Sequence, residues 1–201
     1  MSDLGTLQPL ASKEPKLSPQ KTMLGFWIYI MTDCILFASL FASFVVLRHN
    51  TWAASSSREI FSLPFVLVET VILLTSSFTM GLALLAARNH HKKEAIAWLL
   101  VTFILGAVFL GLEIHEFSSL AHEGNSWRAS AFLSSYFTLV GTHGLHIMAG
   151  LIWIVVMLWR LSTKGISHLN LKQISLLALF WHFLDVVWIF IFSIVYLMGA
   201  I

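Results

Sequence analysis

Residues 95–117 read AIAWLLVTFILGAVFLGLEIHEF, from Ala95 to Phe117, and no side chain before Glu113 carries a charge. A helix rises about 1.5 Å per residue and a bilayer core is about 30 Å thick, so a run of this length suffices to cross a membrane. Four more blocks of comparable length flank it, at about 24–47, 64–87, 130–159 and 174–200. Short polar connections separate them: Arg48 to Leu63, Arg88 to Glu94, Ser118 to Ala129, and Arg160 to Gln173. The expected fold is all-α, a polytopic bundle of five transmembrane helices. None of the blocks alternates as a barrel strand would, and an open sheet in lipid would leave backbone groups unpaired.

Composition agrees with that reading. The chain has 201 residues, 58% of them hydrophobic and 11% charged, and a mean hydropathy of +0.83, outside the range of soluble domains. A net charge of +2, with the basic residues dispersed between apolar blocks, argues against a nucleic-acid partner. Residues 1–23 hold Pro9, Pro15 and Pro19 among scattered polar side chains, which suits a short disordered tail. The first apolar block is too long for a signal core and is expected to be a retained span. Cys34, the single cysteine, has no intrachain partner and reads as a small buried filler.

Basic residues set the expected direction. Lys13, Lys16 and Lys21 precede the first span, Arg88, Lys92 and Lys93 follow the second, and Arg160, Lys164 and Lys172 follow the fourth. The opposite side has only Arg48, Arg58 and Arg128. The positive-inside bias therefore places the N-terminus in the cytoplasm and the C-terminus outside. Pro64 opens the second span, where a missing N–H costs nothing, with Ser62 as its cap.

Asp33, Glu69, Glu113 and Asp185 fall inside the spans, where a lone carboxylate costs at least about 2.5 kcal/mol. Each is expected to face a partner group or to be protonated. Glu113, His115 and Glu116 close the third block, where they could reach the interface and water. His143 and His146 share a helix face by their spacing, with Gly141, Gly144 and Gly150 admitting close approach. His182 and Asp185 have the same spacing. Ser77 with Gly81, and Ala107 with Gly111, give further small pairs for helix contact.

Three readings of this polar set stay open: interhelical hydrogen bonds that fix register, a proton or ion path, and haem ligation by paired histidines. A dinuclear copper site would need thiolates that one cysteine does not furnish. Trp52, Trp98, Trp127 and Trp159 lie near block ends as an interfacial belt would, whereas Trp27, Trp153, Trp181 and Trp188 lie deeper and pack or touch lipid. No P-loop, nucleophile elbow or zinc-binding helix motif is present, and no fixed-period repeat suggests an inverted-repeat transporter.

Several stretches resemble the subunit III family of haem-copper oxidases. Phe137 to His146 is similar to its aromatic-led G-x-H-G-x-H run, and Phe180 to Phe190 to its W-H-F-x-D-x-V-W ending. Pro64 to Thr70, with Ser76 and Ser77, resembles the segment bearing the family's intramembrane glutamate. Gly111 to Phe117 stands where the family has G-x-E-Y-x-E, with His115 replacing the aromatic residue. The resemblance runs from about Leu24 to the end. Five spans rather than seven, with Gly25 to Tyr29 and Met31 to Cys34, place the chain nearer the cytochrome o ubiquinol oxidase branch.

That resemblance implies an accessory subunit of a terminal oxidase in the bacterial inner membrane, bound to subunit I, to other oxidase subunits and to phospholipid. It implies no catalytic, cofactor or metal residue in this chain, with haem and copper in subunit I. Glu69 is then the candidate for lipid-cleft or proton-related work. Asp33, Glu113, Glu116, His143, His146, His182 and Asp185 form a structural polar seam. A cytochrome c oxidase subunit, a standalone proton-coupled transporter and a haem-binding electron carrier are the alternatives.

Overall fold

The structure, a computed structural model, describes residues 19–47, 63–122 and 131–197. All of them except the short turns are helical. The helices are α1 (Pro19–Leu47), α2 (Leu63–Arg88), α3 (Lys92–His122), α4 (Ala131–Lys164) and α5 (His168–Ile191), and α5 runs on into a π-helical turn, Phe192–Leu197. Five of them are long and apolar enough to cross a membrane. The chain is therefore a multi-pass helical membrane protein, as the sequence indicated.

The helices extend past the apolar blocks because local capping, not hydropathy, ends them. Pro64 sits in the first turn of α2, as expected; its proposed cap Ser62 lies outside the described residues. Helix α1 starts at Pro19, inside the stretch expected as tail, and residues 1–18 are outside the described part. Helix α3 continues beyond Phe117 to His122. Ser167 caps α5, its Oγ accepting from the Asn170 N–H at 3.3 Å, so that helix begins ahead of its apolar block.

Two turns close one end of the bundle. At the α2–α3 turn His90 takes φ +60°, the His91 N–H reaches the Ala86 carbonyl at 2.9 Å, and the His90 N–H reaches Ala87 at 3.2 Å. This is a Schellman ending, here with histidine at the left-handed position. Gly165, at φ +69°, ends α4, and its carbonyl accepts from Asn170 Nδ2 at 2.7 Å. Lys92 Nζ donates to the Ser162 carbonyl at 3.0 Å and ties the two turns together.

Helices α1, α4, α3 and α2 pack in that order around α5, the most buried of the five. Helix α5 packs on α4, α2 and α1, while α1 does not pack along α2. The arc is thus open between α1 and α2, with α5 at its floor. Each outer helix buries one stripe: on α1 it is Ile30, Asp33, Phe37 and Phe44, at the spacing of a helix seam.

Tryptophan, not leucine, locks the centre. The Trp181 ring, fully buried, fills a slot between α3 and α4 made by two glycines. A Cβ on Gly106 would stand 2.9 Å from that ring, and a Cβ on Gly150 also 2.9 Å from it. Trp181 Nε1–H donates to Ser76 Oγ at 3.1 Å, and Trp188 Nε1–H to Thr70 Oγ1 at 3.1 Å, fastening α5 to α2. Thr79 and Thr102 hydroxyls meet at 2.8 Å between α2 and α3. In a low-dielectric interior these paired groups avoid the cost of unsatisfied ones.

Three sequence expectations are corrected here. Cys34 is exposed, because α1 turns a different stripe inward. Gly81 and Gly111 have nothing within 4 Å of an added Cβ, so the Ser77/Gly81 and Ala107/Gly111 pairs make no close helix contact within the chain. Gly106, one residue before Ala107, is the close-contact position instead. Glu113 does not reach water: it is 3% exposed, because its side of α3 turns inward against Gly144 of α4.

Candidate functional site

The polar side chains singled out in the sequence gather in three places. At the end of the bundle where α2 and α4 begin, Glu69 of α2 and Glu113 and Glu116 of α3 are close enough to interact electrostatically. Glu69 is 0% exposed, and neither its carboxyl oxygens nor those of Glu113 have a hydrogen-bond partner. Glu116 accepts from the Tyr196 hydroxyl at 3.5 Å, and Tyr196 and Tyr136 hydroxyls meet at 2.9 Å. The π-helical turn brings Tyr196 to this cluster, and the start of α4 brings Tyr136. Neither tyrosine was singled out from sequence; a phenol among apolar residues near a span end carried the only signal.

Glu113 lies against Gly144, with Oε2 2.9 Å from the position a Cβ would take. A cavity of ≈ 170 Å³ lined by Glu113, Gly141, Gly144 and Met148 follows this α3–α4 line. Gly144 and Gly150 thus do admit close approach, but to a carboxyl group and an indole rather than to a bare helix backbone. Gly141 makes only an ordinary contact, with Phe117 at 3.7 Å.

The second place joins α1 to α4. His146 Nδ1–H donates to the Thr142 carbonyl at 2.7 Å, which leaves Nε2 facing Asp33 Oδ2 at 3.7 Å. At that separation the two groups face each other without a hydrogen bond, and Asp33 Oδ2 has no other partner. His143 shares that face, and both rings contact Phe37, at 6.4 and 5.3 Å between centroids. His143 is 0% exposed, packed by Phe37, Phe109 and Trp188, and neither ring nitrogen has a hydrogen-bond partner.

The third place joins α5 to α2. His182 Nδ1 and Ser77 Oγ lie 2.6 Å apart, and Asp185 Oδ2 lies 3.9 Å from the same nitrogen. Because one nitrogen faces both groups, the trio does not form a relay through the ring, which would need both nitrogens. Asp185 is buried, whereas the His182 side chain is 44% exposed. His115 of α3 is exposed and joins none of these groups.

The structure therefore brings Glu69, Glu113 and Glu116 together, pairs Asp33 with His146, and pairs His182 with Ser77 beside Asp185. It does not gather all the acids and histidines at one point. Among the described residues, no three His, Cys, Asp or Glu side chains form a group that could hold a metal ion.

A bundle of five apolar helices with carboxyl and imidazole groups in its interior defines a multi-pass integral membrane protein. The profile of the family described as Cytochrome c oxidase subunit III matches residues 14–200. The chain is 57% identical over 180 residues to cytochrome bo(3) ubiquinol oxidase subunit 3 of Pseudomonas aeruginosa, covering 90% of this chain and 86% of that one. It is 51% identical over 184 residues to the protein of the same name from Pseudomonas putida, covering 92% and 89%. It is 41% identical over 196 residues to cytochrome c oxidase subunit 3 of Bacillus sp. strain PS3, covering 98% and 95%. The chain belongs to the cytochrome c oxidase subunit III family.

Proposed function

We propose that this chain is the accessory, non-redox subunit III of a bacterial terminal ubiquinol oxidase, seated in the cytoplasmic membrane against the haem- and copper-bearing subunit I. The complex oxidises quinol, reduces oxygen to water and moves protons; this chain supports assembly, lipid binding and proton uptake by subunit I. The observation that carries the reading is the 57% identity, along 90% of the chain, to a protein named as subunit 3 of a ubiquinol oxidase. Part of the interior polar set is compatible with it: His146 faces Asp33, His182 meets Ser77 and Tyr136 meets Tyr196 between helices, as register-fixing groups do, whereas Glu69, Glu113 and His143 make no such bond.

Glu69 is the candidate for proton-related or lipid-cleft work. Its carboxyl group is enclosed near Glu113 and Glu116 with no cation or donor at its oxygens, so the neutral acid is the form that avoids a bare buried charge. The direction proposed is N-terminus in the cytoplasm and C-terminus outside. The turns carrying Arg88, Lys92 and Lys93, and Arg160 and Lys164, lie at one end of the bundle and are joined by the Lys92–Ser162 hydrogen bond.

A second reading, subunit III of a cytochrome c oxidase, is favoured by the 41% identity to the Bacillus protein over 98% of the chain. Purification of the tagged chain from native membranes in mild detergent tests both. The proposal expects a haem-bearing polypeptide to copurify and the preparation to consume oxygen with ubiquinol as donor. Oxygen uptake with reduced cytochrome c and none with quinol would favour the second reading. A colourless chain without partners, or one that moves substrate alone in liposomes, would overturn both.

A further inference from the structure

Three carboxyl groups share the end of the bundle away from the basic turns, and they are not equivalent. Glu69 is 0% exposed and Glu113 3%, and none of their carboxyl oxygens has a hydrogen-bond partner. Glu116 is only partly buried. Alone of the three it accepts a hydrogen bond, from the Tyr196 hydroxyl at 3.5 Å, which in turn meets the Tyr136 hydroxyl at 2.9 Å. Among the described residues no lysine or arginine lies at this end. Enclosed without a cation or a donor, Glu69 and Glu113 avoid a bare buried charge by holding their protons. A donor at its oxygen makes Glu116 the member able to carry the charge.

Depth orders the three in the same way. Glu116 is four residues from Leu120, where the α3 span ends, a distance of about 6 Å along the helix axis. Glu113 lies nearly one turn deeper on the same helix and is closed off by α4, its Oε2 2.9 Å from the Cβ position of Gly144. Glu69 of α2 feels the Glu116 charge across the α2–α3 contact, and so does Glu113. Neither enclosed acid touches water, while both have Glu116 as a neighbour.

We infer that Glu116 is the proton-exchange group of this cluster, carrying protons between the water at that end of the bundle and the enclosed carboxyl groups of Glu69 and Glu113. The O–H bond of an enclosed acid breaks as the Glu116 carboxylate takes its proton, directly or through one water. Glu116 then releases that proton to water, and another returns through the same two carboxyl groups. The inference goes beyond the subunit reading: a fall in oxygen uptake with Glu69→Gln bears on the part of Glu69 in turnover, and the exchange rates below decide this one.

Infrared spectroscopy of the full chain, purified in mild detergent with whatever subunits accompany it, reads the exchange directly. Difference spectra against Glu69→Gln and Glu113→Gln assign the protonated-carboxyl C=O bands of the two acids and cancel the carboxyl groups of other chains. Both bands should be present at neutral pH and should shift on transfer to heavy water. Glu116→Gln should keep both bands and slow that shift about a hundredfold, the low end of what a positioned proton-transfer group contributes. Ser118→Ala, an exposed change at the same end, should leave the rate as in wild type. A merely structural Glu116 gives the opposite sign, because loosened packing opens the interior and speeds exchange. Glu116→Leu gives the same reading if the amide variant does not accumulate. Carboxylate bands in place of the two protonated ones, or an exchange rate in the Glu116 variant equal to or faster than wild type, overturns the inference.

Discussion

Replacing two glycines of α3 by alanine, one at a time, should change stability in opposite directions. At Gly106 the new methyl would lie 2.9 Å from two carbons of the Trp181 ring and 3.0 Å from Leu151 Cδ2. The ring has no exposed surface, and swinging it away would stretch the Nε1–H bond to Ser76. Overpacking of this kind costs about 1–3 kcal/mol, while the Gly-to-Ala change returns roughly 0.5–1 kcal/mol of helix preference. The net expectation for Gly106→Ala is a loss of about 1–2 kcal/mol. At Gly111 the added methyl meets nothing within 4 Å, so only the helix term remains, a gain of roughly 0.5–1 kcal/mol. Thermal unfolding of the two variants in one detergent, followed by circular dichroism, should place their midpoints on either side of the wild type. Adding Trp181→Phe should remove most of the Gly106→Ala penalty, because the clashing ring atoms are gone. Equal midpoints for the two alanine variants, or a Gly106→Ala chain more stable than wild type, would refute the slot geometry.

Further outcomes follow from the polar pairs. Ser76→Ala strands the Trp181 indole donor in the core and should cost about 1–3 kcal/mol in the same unfolding assay. Asp33→Ala and His146→Ala should each destabilise the chain, and the double variant should cost less than the sum of the two, a coupling that a double-mutant cycle reads directly. Glu69→Gln should leave assembly and the initial rate of oxygen uptake close to wild type; normal assembly with complete loss of turnover would contradict a supportive role.

The spans were legible because lipid demands length and apolarity, and both are written along the chain; Pro64 marked a boundary by its chemistry. Which side of each helix turns inward was far less legible. In water a polar face announces the outside, but in hydrocarbon both faces of α1 are apolar, so Cys34 and Phe37 look alike until the packing is known. Intramembrane acids and histidines were conspicuous by their cost, yet their partners were not. Asp33 finds His146 across more than a hundred residues, and His182 finds Ser77 at a separation of 105. Small-residue pairs were read as close contacts, but glycine marks room without saying what fills it: Trp181 fills Gly106, while Gly81 and Gly111 stay open. The early start of α5 did have a signal, Ser167 followed three residues later by Asn170, that hydropathy hides.

The wide turn at Phe192–Leu197 sets where the last phenol of the chain points. Closing each ring one residue later unwinds the helix by roughly one position, about 100° of azimuth accumulated by the end of the turn. Tyr196 owes its meeting with Tyr136 and Glu116 to that offset. Ordinary winding at the present length would aim the hydroxyl elsewhere, so in this stretch the wide turn and the one extra residue it takes up go together.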